Sequence, residues 1–193
     1  MEINIDKFIL RRRSFFFSVI DVLDNEGGKL FYIKTNHFSF QPQILIFDKN
    51  EKSLLLKIKR QAGFSISDRR IYLVLNEVGN VVCKIKGKGF LFSNWDVVDT
   101  STSKILVTAQ HEYGQEKRGW KFLWKNAFFE NLSPSFGKKY ILLEDKQVGS
   151  FFPSNRGYVM DLFGDPQKKL NRKVALALAA FLCSDIVLVR GGY

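Results

Sequence analysis

The chain has 193 residues, enough to bury a substantial core, and 46% of them are hydrophobic, Phe alone contributing 19. That composition excludes a disordered chain, and with four prolines and no Gly/Ser-rich run there is no linker, so residues 1–193 are expected to form one domain. A formal charge of +11 points to an anionic partner, while two isolated cysteines, Cys83 and Cys183, are too few for a disulfide framework or a zinc site.

In chain order, the N-terminus lacks the basic and apolar blocks of a signal peptide, which gives the expectation of a cytoplasmic protein. A series of hairpins follows. Phe15–Leu23 and Lys29–Lys34 flank the turn Asp24–Gly28, and Gln43–Phe47 and Ser53–Lys59 flank Asp48–Lys52. Ile71–Leu75 and Val81–Lys86 flank Asn76–Asn80, and Trp95–Val98 and Ile105–Ala109 flank Asp99–Lys104. Tyr140–Leu143 and Val148–Phe152 flank Glu144–Gln147. Asp, Asn and Gly between β-branched and aromatic runs signal antiparallel hairpins. The segment Gly119–Glu130 is read as a further strand.

The last element differs in kind. From Val174 to Cys183 no polar residue occurs on any face, and Ala and Leu are strong helix formers. An all-apolar helix must be enclosed, and this run is far shorter than the ~20 residues that span a bilayer. It is therefore expected to be the buried axis of the domain, with no transmembrane segment. Strands that surround a helix and leave no open edge predict a mainly β fold: a closed antiparallel barrel of about twelve strands wrapped around one hydrophobic C-terminal helix. Within the strands, Leu54, Leu56 and Ile58 alternate with Lys57 and Lys59, and Ile71, Leu73 and Leu75 alternate with Arg70, Tyr72 and Val74. Ile71, Leu73 and Leu75 are taken as the inner set, which puts Arg70 outside beside Lys57, Lys59, Lys84 and Lys86.

Two stretches resemble the tubby C-terminal superfamily, which includes the LURP-one-related proteins and the phospholipid scramblases. One is Met160-Asp161-Leu162 followed by Val174-Ala-Leu-Ala-Leu-Ala-Ala-Phe-Leu-Cys-Ser-Asp185. The other runs from Ile46-Phe-Asp48 through Leu56-Lys-Ile-Lys-Arg60 and Phe64-Ser-Ile-Ser-Asp68-Arg69 to Tyr72. The resemblance implies a twelve-stranded barrel around a central helix and a role at membranes, since tubby domains bind phosphoinositides through a basic groove and scramblases act on phospholipids. The cysteine cluster and Pro-rich arm of scramblases are absent. Their calcium-binding segment is represented only by Asp161 and Asp165, which argues against calcium and lipid scrambling.

The candidate site is basic. Lys57, Lys59, Arg60, Arg69, Arg70, Lys84, Lys86 and Lys88 face only Asp68 and Glu77 between residues 57 and 90. Like charges on neighbouring strands repel, so a cluster of them is more readily explained by a bound anion, the alternative being a solvated face that guards against edge aggregation. Lys117-Arg-Gly-Trp120-Lys-Phe122-Leu-Trp124-Lys125, with Phe128 and Phe129, reads either as core or as a membrane-interface segment. Asp165-Pro166 reads as a helix N-cap rather than a metal ligand. His111-Glu112 lacks a second histidine for zinc, and Lys86-Gly-Lys-Gly-Phe90 lacks the Walker spacing and reads as a turn.

No nucleophile–base pair stands out, so the expectation is a non-enzymatic binding module without a cofactor. It would associate peripherally with anionic phospholipid, at the inner face of the membrane, through Lys57, Lys59, Arg60, Arg69, Arg70, Lys84 and Lys86. The alternatives are a nucleic-acid-binding regulator using the same face, a scramblase-like lipid-handling protein, or an interaction scaffold.

Overall fold

Asp or Asn opens four of the hairpin turns, and the same local device folds each one. The Oδ1 of Asp24 accepts the amides of Glu26 and Gly28, and that of Asp48 accepts Lys52 and Ser53. Asn76 accepts Val78 and Asn80, and Asp99 accepts Ser101 and Thr102. These side chains satisfy amides that the strand ladder leaves free. In two of the turns a left-handed backbone angle is met by glycine, at Gly27 and Gly79, each with φ of 92°. The fifth turn places Glu144 and Asp145 both at positive φ, the two-residue form that suits the twist of a hairpin.

These turns organise the computed structural model, which describes residues 5–13, 19–36, 43–62, 71–88, 94–112 and 138–190. Its strands are β1 (Lys7–Arg12), β2 (Val19–Leu23), β3 (Lys29–Asn36), β4 (Gln43–Asp48), β5 (Leu54–Arg60) and β6 (Ile71–Asn76). They continue with β7 (Val81–Lys88), β8 (Asn94–Asp99), β9 (Ile105–His111), β10 (Lys139–Leu143), β11 (Lys146–Ser154) and β12 (Gly157–Asp161). One helix follows, α1 (Arg172–Arg190). Every strand pairs antiparallel with its sequence neighbour, and β1 pairs with β12 to close the barrel.

The hairpins from β2 to β11 are the ones the turn chemistry predicts. The strands β1 and β12 are not. They pair across the whole chain, Phe8 with Met160 and Ile9 with Val159, without a turn to announce them. Residues 86–88, expected in a turn, belong instead to β7, with Gly87 opposite Trp95. The segment 119–130 lies outside the described residues.

The helix is the axis, as its sequence demands. Val174 to Ser184 are buried, and Val174 to Cys183 form one cluster with inward residues of the strands, among them Ile33, Ile46, Ile58, Ile85 and Met160. Phe181 lies 4.7 Å from the rings of both Tyr72 and Trp95, which fixes the helix against β6 and β8. Leu170 and Val174 border the β8–β9 turn, whereas the carbonyl of Cys183 accepts a hydrogen bond from Arg12. The axis therefore runs from the turn end of the barrel to the opposite end.

The helix start differs from the sequence expectation. Its N-cap is Asn171, whose Oδ1 accepts the amide of Lys173 at 2.9 Å. Asp165 caps the preceding turn, accepting the amides of Lys169 and Leu170, and pairs with Arg172. A proline-led start at residue 166 loses to this arrangement because Arg172 needs a buried carboxylate partner.

Candidate functional site

Alternation turns Lys57 and Lys59 of β5 and Lys84 and Lys86 of β7 to the outside of the barrel, opposite the buried Leu56, Ile58, Cys83 and Ile85. The strand between them carries no charge there. Leu73 stands in register with Lys59 on one side and Lys84 on the other, and Ile71 with Lys86. This corrects the expected face of β6. Tyr72 and Val74 point inward, 5% and 1% exposed, because Tyr72 packs on Trp95 and Phe181, and the outer positions fall to Ile71 and Leu73. Both alternating sets of that strand are apolar, so period alone does not reveal which face is buried. Arg69 and Arg70, which precede this strand, lie outside the described residues.

The same pattern repeats one strand earlier. Leu45 of β4 stands between Lys57 of β5 and Lys34 of β3, and Lys34 is exposed. Lys34 was not singled out in the sequence, where it is an isolated charge; only the register joins it to the others. Arg60 ends β5 opposite Tyr72, at the barrel rim rather than within the wall. The result is a wall in which β3, β5 and β7 bear lysines and β4 and β6 bear aliphatic side chains. Among the described residues no carboxylate lies within 4.0 Å of Lys34, Lys57, Lys59, Lys84 or Lys86.

Acidic residues are gathered elsewhere. Outside α1, every described Asp and Glu except Asp21, Asp96 and Glu112 sits at the turn end or around the helix entrance. Those three are each engaged. Asp21, on β2, holds Arg13 at 2.5 Å and Lys29 at 3.7 Å. Asp96, in register with Lys86, is buried and accepts the Thr108 hydroxyl at 2.7 Å, with Lys88 at 3.9 Å. Glu112 accepts the Tyr140 hydroxyl and lies 3.7 Å from Lys138.

At the helix entrance Arg172 is 5% exposed and binds Asp165 at 2.6 Å and Asp6 at 2.5 Å, and it donates to the Leu170 carbonyl at 2.9 Å. Burial alone would push the Asp165 carboxyl up, but the hydrogen bonds from Arg172 and the Leu170 and Lys169 amides outweigh it and hold the group below its usual range. Asp161 pairs with Lys7 at 3.2 Å. Both carboxylates that a cation would need are thus taken by cationic side chains. Beside this entrance lies a cleft of about 240 Å³ bordered by Ile105, Leu143, Leu170 and Val174, with the Lys104–Glu144 pair at its lip.

The remaining reactive groups are buried, half-buried or outside the described residues. Burial pushes the Cys83 thiol up to about 12 and the Cys183 thiol up to about 11, so neither is a ready thiolate at neutral pH. His111 ends β9, its amide bound to the Asn94 side chain at 3.1 Å. His37 and the aromatic and basic run 117–129 lie outside the described residues.

Fold and site together define a closed twelve-stranded antiparallel barrel around a hydrophobic helix, with one wall of lysines that have no carboxylate within 4.0 Å among the described residues. No protein-family model and no curated protein sequence matches the chain. Among solved structures the chain is similar to the X-ray structure of a protein from Arabidopsis thaliana, at 11% identity over 91% of this chain and 88% of the other, with a TM-score of 0.55. At that identity the likeness is one of fold.

Proposed function

We propose that this protein is a tubby-like, non-enzymatic binding module that attaches peripherally to anionic phospholipid through the outer wall of β3 to β7. The observation that carries the reading is the set of lysines on that wall, Lys34, Lys57, Lys59, Lys84 and Lys86, none of which has a carboxylate within 4.0 Å among the described residues. A folded protein can neutralise its own cations, and this one does so around Asp21, Asp165 and Glu112. Leaving five lysines unneutralised on one face costs repulsion that an external anion removes. Each lysine near an anionic bilayer contributes ~1 kcal/mol, so a few acting together hold a domain of this size reversibly. The tubby-like part of the reading is supported by the barrel with its buried helix and by the sequence resemblance at residues 160–185 and 46–72. In the cell such a protein would sit at the inner face of the membrane.

The test is co-sedimentation with phosphatidylserine-containing vesicles. Lys57→Glu combined with Lys84→Glu is expected to abolish binding at low salt while leaving the melting temperature near that of the parent. Undiminished binding by that variant would remove the wall from the reading.

A further inference from the structure

The arrangement of the wall specifies how such a surface would be met. The outer face of a closed barrel is convex, so side chains that leave it diverge. Lys59 and Lys84 are two strands apart, with Leu73 in register between them, which sets their backbones about 10 Å apart. Lys57 and Lys59, on the same face of one strand, are separated by about 7 Å. A single phosphorylated headgroup is gripped by cations that converge in a concave site. Here they spread across a ridge.

The strips between the lysines are the second observation. Leu45, Leu73 and Ile71 are only half-buried on the outside of the barrel, and they alternate strand by strand with the lysines. Lysine stems lying along aliphatic side chains, with the ammonium at the tip, suit a boundary between apolar and ionic layers. A nucleic acid or another polyanion in water presents charge without an apolar layer beneath it. A bilayer presents both.

Building on the lipid-binding reading, we infer that the wall engages an anionic bilayer as an array: each lysine takes its own headgroup, and Leu45, Leu73 and Ile71 seat between headgroups at the acyl boundary. Selectivity is then for surface charge density, not for the stereochemistry of one headgroup.

The experiment compares vesicles of matched surface charge made with phosphatidylserine or with phosphatidylinositol bisphosphate, and retention on immobilised heparin, for the parent and for Leu45→Thr/Leu73→Thr. Threonine is β-branched and favoured in strands, so it suits both positions while removing most of the apolar side chain, and the melting temperature confirms folding. The two anionic lipids are expected to bind within about threefold of each other. The threonine variant should lose about fivefold in vesicle affinity at physiological salt, as expected for reduced apolar contact at the interface, with heparin retention unchanged. A preference above about tenfold for the bisphosphate at equal charge would overturn the array while leaving lipid binding intact. Equal losses on heparin and vesicles would remove the apolar strips from the inference. The lipid comparison needs no variant, so it stands even if the double substitution fails to fold. Absence of binding to any anionic vesicle would overturn the lipid reading itself, and the array with it.

Discussion

The wall of β3 to β7 and the adjoining wall of β11, β12, β1 and β2 share one alternation and one core, yet they handle their outer faces differently. On the adjoining wall Leu23, Ile9 and Val159 stand side by side in register and are buried, with Phe152 packed against them. Charges there are matched in part: Lys7 with Asp161, and Asp21 of β2 with Arg13 and with Lys29 of the adjoining β3, these last two cations also lying over the Tyr32 ring. On the lysine wall the aliphatic strips are half-exposed, and among the described residues no carboxylate lies within 4.0 Å of Lys34, Lys57, Lys59, Lys84 or Lys86. Alternation places polar groups outside on either wall; it does not choose their sign. The difference is therefore a property of the residues and not a requirement of the barrel.

The largest expected effect lies where pairing is tightest. Arg172→Met removes the partner of buried Asp165 and is expected to cost about 3–5 kcal/mol in denaturant unfolding, because a buried carboxylate is left without its cation. Asp21→Asn, on the paired wall, should cost about 1–3 kcal/mol by weakening its hold on Arg13 and Lys29. Lys59→Gln, on the unpaired wall, should change stability by no more than about 0.5 kcal/mol or raise it slightly, while lowering vesicle binding. Equal costs for Asp21→Asn and Lys59→Gln would erase the distinction between the walls.

Acid titration sharpens it further. Hydrogen bonds from the hydroxyl and amide of Ser101 and of Thr102 bring Asp99 down to about 2 from an ordinary value of 3.8, and Asp165 is also depressed. A depressed carboxyl contributes stability that is present above the ordinary value and lost as pH falls through the folded one. Unfolding midpoints should therefore hold steady above pH 4 and fall between about 4 and 2. Asp99→Asn should flatten that decline in part. At neutral pH, Cys83 and Cys183 should resist thiol reagents until the protein unfolds, as their burial and raised values require.

Much of this was legible in the residues because it is local. The hairpins β2 to β9 announce themselves through Asp24, Asp48, Asn76 and Asp99, each of which folds a turn with its own side chain. The axial helix is legible because no face of Val174–Cys183 could be left in water. What escaped is non-local. The pairing of β1 with β12 and the bonds from Arg172 to Asp6 and from Lys7 to Asp161 link residues from opposite ends of the chain. The lysine wall was half legible: Lys57, Lys59, Lys84 and Lys86 follow from alternation, while Lys34 and the outward turn of Leu73 depend on register and on where Tyr72 finds its aromatic neighbours.

Closure by β1 and β12 also dictates an order of events during synthesis. The first strand waits for a partner that leaves the ribosome some 150 residues later, and the element that fills the lumen emerges after both. A meander of hairpins can form early, but its concave side stays wet until the final helix arrives. Sealing the seam and lodging the axis then have to occur together, since a finished cylinder offers the helix no lateral way in. Such a chain should fold late and slowly, from predominantly distant contacts, and once shut it should reopen reluctantly.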